Sequence, residues 1–492
     1  MIQRHRSVEL RLAKQLKRVL LTVAPFVAIS VFAKGAHAQA WLRNRTYQEG
    51  IGIRAGDVEL HPGIGAEVGY DSNWFVRSHN DGPNVVNAAP LTPRVDAGVL
   101  RVTPSFSISS RGPQRLGDAQ PSFAFRGTAA ASYREFFGVA EVRDQRNVNV
   151  HAFFRGDILP GRPFGLGFFV GYQRFIQPAA IPGLNVDFNR SDINAGAEAI
   201  VMPGGGNLDL RLGYQFYGAL YENSVGAAFT NHTHEISFRN KWQFRPKTSI
   251  FSETSVRVIN YPFADRAVLV LNDSIPMRSR VGINGLLTPR FSALAAVGYS
   301  GTFFKAPEKV STKQFDSVNL QVEGTFYLTG SSATAGEVGQ TVAKSTLTLG
   351  FNRDVQVGSA QDFSSRPSYI LGGGQNTAIG SFNGLDKFYG RFSYLFASRA
   401  IVSLDAFLDV LTYPEVFAAG GGLAAGTEGG FTNFRPGLSL FGEYRLTDSF
   451  GINGTVDYTQ TISDIALPVG AGQVFDLNWR RFQGFVGVRW FM

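Results

Sequence analysis

The chain has 492 residues, 42 phenylalanines, 56 glycines and no cysteine. The lack of cysteine excludes disulfides, zinc–thiolate sites, iron–sulfur clusters and cysteine nucleophiles. The formal charge of +9 could suggest a nucleic-acid binder. However, Arg4, Arg6, Arg11, Lys14, Lys17, Arg18 and Lys34 stand against Glu9 within residues 1–38, which accounts for six of those charges and leaves +3 for the rest. No nucleic-acid partner is expected.

Residues 1–18 form a basic segment, and Val19 to Ala33 an apolar run shorter than the roughly 20 residues a helical span needs. Ala36-His37-Ala38 then gives a small-x-small cleavage pattern before Gln39. Residues 1–38 are therefore expected to be a signal peptide. Residues 39–57 are expected to be a short periplasmic segment, too small for a plug or passenger domain, and residues 58–492 one barrel. No later apolar run is long enough for a transmembrane helix.

Phe- and Gly-rich composition combined with a mean hydropathy of −0.03 suits strands that are apolar on one face and polar on the other. The sequence alternates in this way repeatedly. Leu208, Leu210, Leu212, Tyr214 and Phe216 oppose Asp209, Arg211, Gly213 and Gln215. Ile236, Phe238, Trp242 and Phe244 oppose Glu235, Ser237, Arg239 and Lys241. Val318, Leu320, Val322 and Phe326 oppose Ser317, Asn319, Gln321 and Glu323.

Strands are predicted near 61–71, 95–109, 121–135, 146–157, 164–175, 189–202, 206–220, 231–245, 247–260, 274–288, 290–304, 314–328, 341–354, 384–397, 399–412, 433–447, 449–461 and 478–492. A β-sandwich also alternates. These strands are longer than the usual 5–6 residues of globular sheets. Aromatic residues also recur toward their ends (Tyr214, Phe216, Trp242, Phe244, Tyr394, Phe396), as interfacial girdles do. The fold class is thus an all-β, transmembrane antiparallel β-barrel of about 18 strands, within a range of 16–20. Its topology is a meander with both termini periplasmic. Tight Gly- or Pro-rich turns, such as Leu159-Pro160-Gly161-Arg162 and Pro203-Gly204-Gly205-Gly206, alternate with long loops. Two connections on the turn side, 110–120 and 329–340, are longer than that scheme needs.

The last segment places Phe482, Gly484, Val486, Val488, Trp490 and Met492 on one face. It resembles the terminal assembly signal read by the barrel-assembly machinery, with Met492 where that signal usually has an aromatic. Near the other end, Gly52-Ile53-Arg54-Ala55-Gly56-Asp57-Val58, His61-Pro62-Gly63 and Gly69-Tyr70-Asp71-Ser72-Asn73 form a further pattern. It is similar to the opening of a family of bacterial outer-membrane β-barrel porins, in which the first strand ends in a Tyr-Asp-x-Asn element. The resemblance implies a Gram-negative outer-membrane location, among lipid and lipopolysaccharide. Some relatives look like export channels for secreted polysaccharide.

A barrel of this size leaves an aqueous lumen unless loops fill it. Alternation places Arg101, Arg126, Arg134, Arg155, Arg211, Arg239, Lys241, Arg257, Arg278, Arg280, Arg391 and Arg445 on the lumen wall, with Arg481 and Arg489. The acids there include Glu67, Glu198, Glu323, Asp405, Asp409, Glu443 and Asp457. Basic residues concentrate between about 121 and 288, and many of the acids between about 399 and 461. Either the two walls set up a field across the pore, or the charges pair with one another and simply solvate the wall. Residues 355–383 and 413–432 are candidates for loops that enter the mouth.

No G-x-S-x-G, H-E-x-x-H or phosphate-cradling loop is present. His232 and His234 share a face at a strand end, and His151 faces the lumen without a serine partner at any telling spacing. No catalytic residue, metal or cofactor is expected. The function expected is a porin-like channel for passive passage of polar or anionic solutes. The alternatives are a polysaccharide export channel working with periplasmic partners, and a barrel enzyme or surface adhesin.

Overall fold

The computed structural model of the chain describes residues 52–77, 94–110, 121–176, 189–222, 226–263, 273–305, 314–328, 345–357, 377–378, 382–396, 399–413, 417–418, 431–463, 466–470, 473–476 and 478–492. The expected signal peptide and most of the segment after it lie outside these residues, as do most of 355–383 and 413–432 and the two long turn-side connections.

Eighteen long strands make one sheet. They are β1 (Val58–Asp71), β2 (Ala97–Ser110), β3 (Phe123–Phe137), β4 (Asn147–Ile158), β5 (Phe164–Phe175), β6 (Arg190–Val201), β7 (Leu208–Tyr221), β8 (Asn231–Arg245) and β9 (Thr248–Asn260). The ring continues with β10 (Ser274–Thr288), β11 (Phe291–Phe304), β12 (Gln314–Tyr327), β13 (Thr346–Val357), β14 (Phe382–Phe396), β15 (Ala400–Tyr413), β16 (Phe431–Thr447), β17 (Phe450–Ser463) and β18 (Trp479–Phe491). Each strand pairs antiparallel with the next, and β18 pairs antiparallel with β1, from Gly63 opposite Phe491 to Asp71 opposite Gln483. The sheet is therefore a closed meander without an edge, so the ladder satisfies its backbone donors and acceptors internally. That is what a strand structure in lipid requires.

Each predicted strand falls on one of these. The largest differences are at the starts of β1 and β13. β1 begins at Val58 because a short strand, Ile53–Ala55, folds back on it and pairs Arg54 with Glu59. β13 begins at Thr346, and 341–344 lie outside the described residues. Tight turns join strands at one end of the barrel. One is Pro203–Gly206, where Gly204 and Gly205 adopt φ of 68° and 72°, a left-handed conformation that glycine accepts without steric cost. The even strand count brings both ends of the ring to this same end. There His61 Nδ1 donates to the Met492 carbonyl (3.1 Å) and the Met492 amide donates to Pro62 (3.0 Å).

Alternate residues face outward and are apolar. Val68, Phe164, Ile236 and Val486 are each 59–69% exposed, an arrangement that a protein in water avoids and a lipid-facing band uses. Trp242 and Phe244 lie at the turn end of β8, and Tyr394 and Phe396 at the turn end of β14, with ring contacts within each pair. Tyr214 and Phe216, expected near a strand end, lie mid-strand in β7. The stagger between strands sets Phe216 opposite His234, and the Tyr214 hydroxyl meets His234 Nδ1 at 2.8 Å. His232 and His234 therefore belong to the outer face.

The Phe and Gly content has a structural use on the inner face. Phe485, Phe169, Phe251, Tyr389 and Phe407 stand directly opposite Gly69, Gly196, Gly282, Gly350 and Gly437. A Cβ on any of these glycines would lie within 2.1–2.6 Å of the facing ring. Each ring thus lies flat on the wall over a glycine instead of projecting across the lumen.

Candidate functional site

The inner face of β2–β10 forms a basic arc. Its defining feature is three arginine pairs set directly opposite each other on neighbouring strands: Arg101 with Arg134, Arg126 with Arg155, and Arg211 with Arg239. Like charges in that position repel, so each pair needs anionic neighbours. Glu198 on β6, only 5% exposed, serves three of these guanidiniums. It accepts from Arg155 at 2.7 Å, lies 3.5 Å from Arg211, and accepts from Arg239. Asp157 and Asp209 add further contacts to Arg155 and Arg211 at 2.9 Å.

Farther round the arc each arginine has one acid. Arg257 reaches Glu235 (2.6 Å), Arg280 reaches Glu253 (2.7 Å) and Gln321 (2.7 Å), and Arg278 reaches Asp354 (3.2 Å). Lys241 and Arg134 make no ion pair among the described residues.

Strands β15–β17 lie about half the ring away. Their acids are engaged locally. Asp409 lies 3.5 Å from Lys387 and Asp405 3.5 Å from Arg391. Glu443 lies between Arg445 (3.4 Å) and Arg489 (2.9 Å), and Asp457 accepts from Ser439 at 2.5 Å. The charged residues named from alternation thus occupy one face of the sheet, and most of their carboxylates are shared among cations beside them. The acidic side is largely neutralised where it stands, whereas the arc has fewer carboxylates than guanidiniums.

One element was not foreseen. After β1 the chain turns inward, and residues 72–77 pack on the inner face near the long-loop end. Trp74 (4% exposed) lies 4.5 Å from Phe136, centroid to centroid, in a cluster with Phe75, Val95, Ala97, Val99 and Val142. Ile176 and Phe485 pack against it. Val142 comes from a one-turn helix, α1 (Ala140–Arg143), whose Glu141 accepts from the buried Arg77.

The Tyr-Asp-x-Asn element holds this turn. Asp71 accepts from Arg481 (2.5 Å), from Gln483 (2.9 Å) and from the Asn73 amide (3.0 Å). The Asn73 side chain accepts from the Arg77 amide (2.9 Å) and donates to the carbonyls of Arg77 (2.9 Å) and Arg480 (3.1 Å). The sequence signal was present in Trp74-Phe75, two large rings placed just past a strand end where solvated loop residues are usual.

Thr377–Ala378 pairs antiparallel with Phe417–Ala418. Among the described residues no group of three or more histidines and carboxylates is arranged to hold a metal.

A closed 18-strand ring with an apolar outer band and a charged inner wall defines an outer-membrane β-barrel, the architecture of outer-membrane channels and transporters. No family model and no curated protein matches the sequence. Solved structures of similar architecture include OccAB4 of Acinetobacter baumannii, at 10% identity over 88% of this chain and 98% of that one, TM-score 0.41. A BenF-like porin of Pseudomonas fluorescens is 9% identical over 89% of this chain and 99% of that one, TM-score 0.42. The ferric enterobactin receptor PfeA of Pseudomonas aeruginosa, as its G324V mutant, is 10% identical over 89% and 81%, TM-score 0.41. Likeness at this level carries no inference about solute or mechanism.

Proposed function

We propose that the protein is a porin-like channel of the Gram-negative outer membrane that passes polar and preferentially anionic solutes by diffusion. The observation that carries the reading is the set of three directly opposed arginine pairs on β2–β3, β3–β4 and β7–β8. Side-chain packing alone gives no reason to set guanidiniums face to face. A wall over which anions move gains from the arrangement, because a passing anion relieves the repulsion. The rings lying flat over glycines leave the space inside the wall to water and solute.

In this reading residues 1–38 are removed on export, residues 58–492 form the barrel, and the short-turn end faces the periplasm. β18, with Phe482, Val486, Val488 and Trp490 on its outer face, serves together with the terminal Met492 as the assembly signal.

The test is single-channel conductance of the mature chain, from Gln39, in planar bilayers under a potassium chloride gradient. A stable ohmic current whose reversal potential favours chloride is expected. A closed barrel, or a current that favours potassium, overturns the reading.

A further inference from the structure

Glu198 on β6 has a glycine on either side. Gly167 on β5 and Gly213 on β7 are its direct cross-strand partners, and a Cβ on Gly167 would lie 3.1 Å from both Arg155 Nη2 and Glu198 Cγ. The bare wall lets guanidiniums from beyond the neighbouring strands reach the two oxygens of this carboxylate, Arg155 from β4 and Arg239 from β8. Arg155 is further held by Asp157, and Arg211 by both oxygens of Asp209 at 2.9 Å. Arg239 has only Glu198. It donates there through Nη2, its side chain is 48% exposed, and its Nε and Nη1 meet no acceptor among the described residues. Lys241 lies two residues farther along the same face, roughly 7 Å away along the strand, and is exposed. Its cross-strand partner is Asp209, whose oxygens Arg211 already occupies. Near the turn end of the wall, four cations therefore stand on three carboxylates. The least neutralised two, Arg239 and Lys241, are adjacent and open to the lumen.

We propose that Arg239 and Lys241 form a binding site for the phosphoryl group of a small solute. A doubly charged group gains from both cations at once, whereas a carboxylate carries charge enough for one. The oxygens of a phosphoryl group point in tetrahedral directions, so they can accept from a guanidinium and from an ammonium on separate side chains. Glu198 braces Arg239 from behind, so less side-chain freedom is lost when the anion binds. Arg155 and Arg211 raise the local positive potential while staying paired to their own acids. The site rests on the anion-channel reading and deepens it by naming the chemical class of solute and the place on the wall where it pauses.

The experiment is a calorimetric titration of the protein, extracted from outer membranes into detergent, with inorganic phosphate at about pH 8, where the phosphate carries two charges. Sodium chloride holds the ionic strength constant, and sodium acetate is titrated in parallel. Saturable binding of phosphate, tighter than that of acetate, is expected in the wild type. In K241Q and in R239Q the dissociation constant for phosphate rises at least about tenfold, the loss of one charge-assisted hydrogen bond, while K241R stays within about twofold. Lys241 holds no ion pair of the wall, so K241Q tests the site even if R239Q, which also takes a partner from Glu198, does not assemble. A non-saturating phosphate titration in the wild type overturns the site. So does an unchanged constant in K241Q, or acetate bound as tightly as phosphate. The titration needs no current. A barrel that binds phosphate but does not conduct counts against the channel alone, and an anion-selective pore with a featureless titration counts against the site alone.

Discussion

Asp71 accepts hydrogen bonds from Arg481 across the seam between β1 and β18, although the two residues are 410 positions apart in the chain. The carboxylate is fully buried, and it also takes bonds from Gln483 and from the Asn73 amide. One side chain therefore joins the closure of the ring to the inward turn that follows its first strand. Ser72 reinforces the join by exchanging bonds with the backbone of Phe482, its hydroxyl accepting at 2.8 Å and its amide donating at 2.9 Å.

Asp71→Asn should weaken the seam. It keeps most of the shape but leaves Arg481 without its charge partner, and breaking a buried ion pair typically costs about 3–5 kcal/mol. The temperature at which the folded barrel converts to the slower-migrating unfolded band on gels should fall by several degrees. An unchanged transition would mean that Arg481 finds another anion or is fully hydrated.

Trp74→Ala should act on both stability and conductance. Removing the ring leaves a cavity among Phe136, Val99 and Phe75, a loss of about 3–5 kcal/mol for a buried large aromatic. It also detaches segment 72–77 from the wall, so single-channel conductance should rise. A rise in conductance with no loss of stability would contradict the packing described for the cluster.

Glu198→Gln should make the pore more anion-selective and the barrel less stable. Arg155, Arg211 and Arg239 lose the carboxylate they share, which leaves about one more uncompensated positive charge on the arc. The reversal potential in a chloride gradient should move toward the chloride limit, most clearly at low ionic strength, where screening is weak. An unchanged reversal potential would show that Glu198 does not contribute to the field in the pore.

Arg278→Glu with Arg280→Glu makes the opposite test. Two positive charges on β10 become negative beside Glu253 and Asp354, and selectivity should move toward cations. Unchanged selectivity would place these charges away from the conducting path.

Acid should loosen the long-loop end through Glu222, just beyond β7. Hydrogen bonds from the Arg174 guanidinium hold its pKa below the ordinary 4.5. Because the folded value lies below the unfolded one, the contribution is complete above about pH 4.5 and is lost as pH falls through the depressed value. Glu222→Gln should therefore flatten the dependence of stability on pH between about 5 and 3. A slope as steep as the wild type's would assign the acid sensitivity to other carboxylates.

The sequence by itself determined the strands, their number and their two faces. Period-two alternation is local, and a residue's parity along β8 or β16 fixes whether Arg239 or Glu443 faces inward before any partner is known. The tight turns at 159–162 and 203–206 then fixed the direction of successive strands. Three things waited for the tertiary structure. Cross-strand register decides that Arg101 meets Arg134 and Arg211 meets Arg239, and a shift of two residues would preserve every face while replacing every pair. The grouping of three arginines on Glu198 draws on β4, β6, β7 and β8 and has no counterpart in residue spacing. The inward turn at 72–77 depends on Asp71 finding Arg481 at the far end of the chain. Alternation is set by the geometry of one strand, whereas pairing, charge balance and the seam are set by closure of the ring, which no local segment contains.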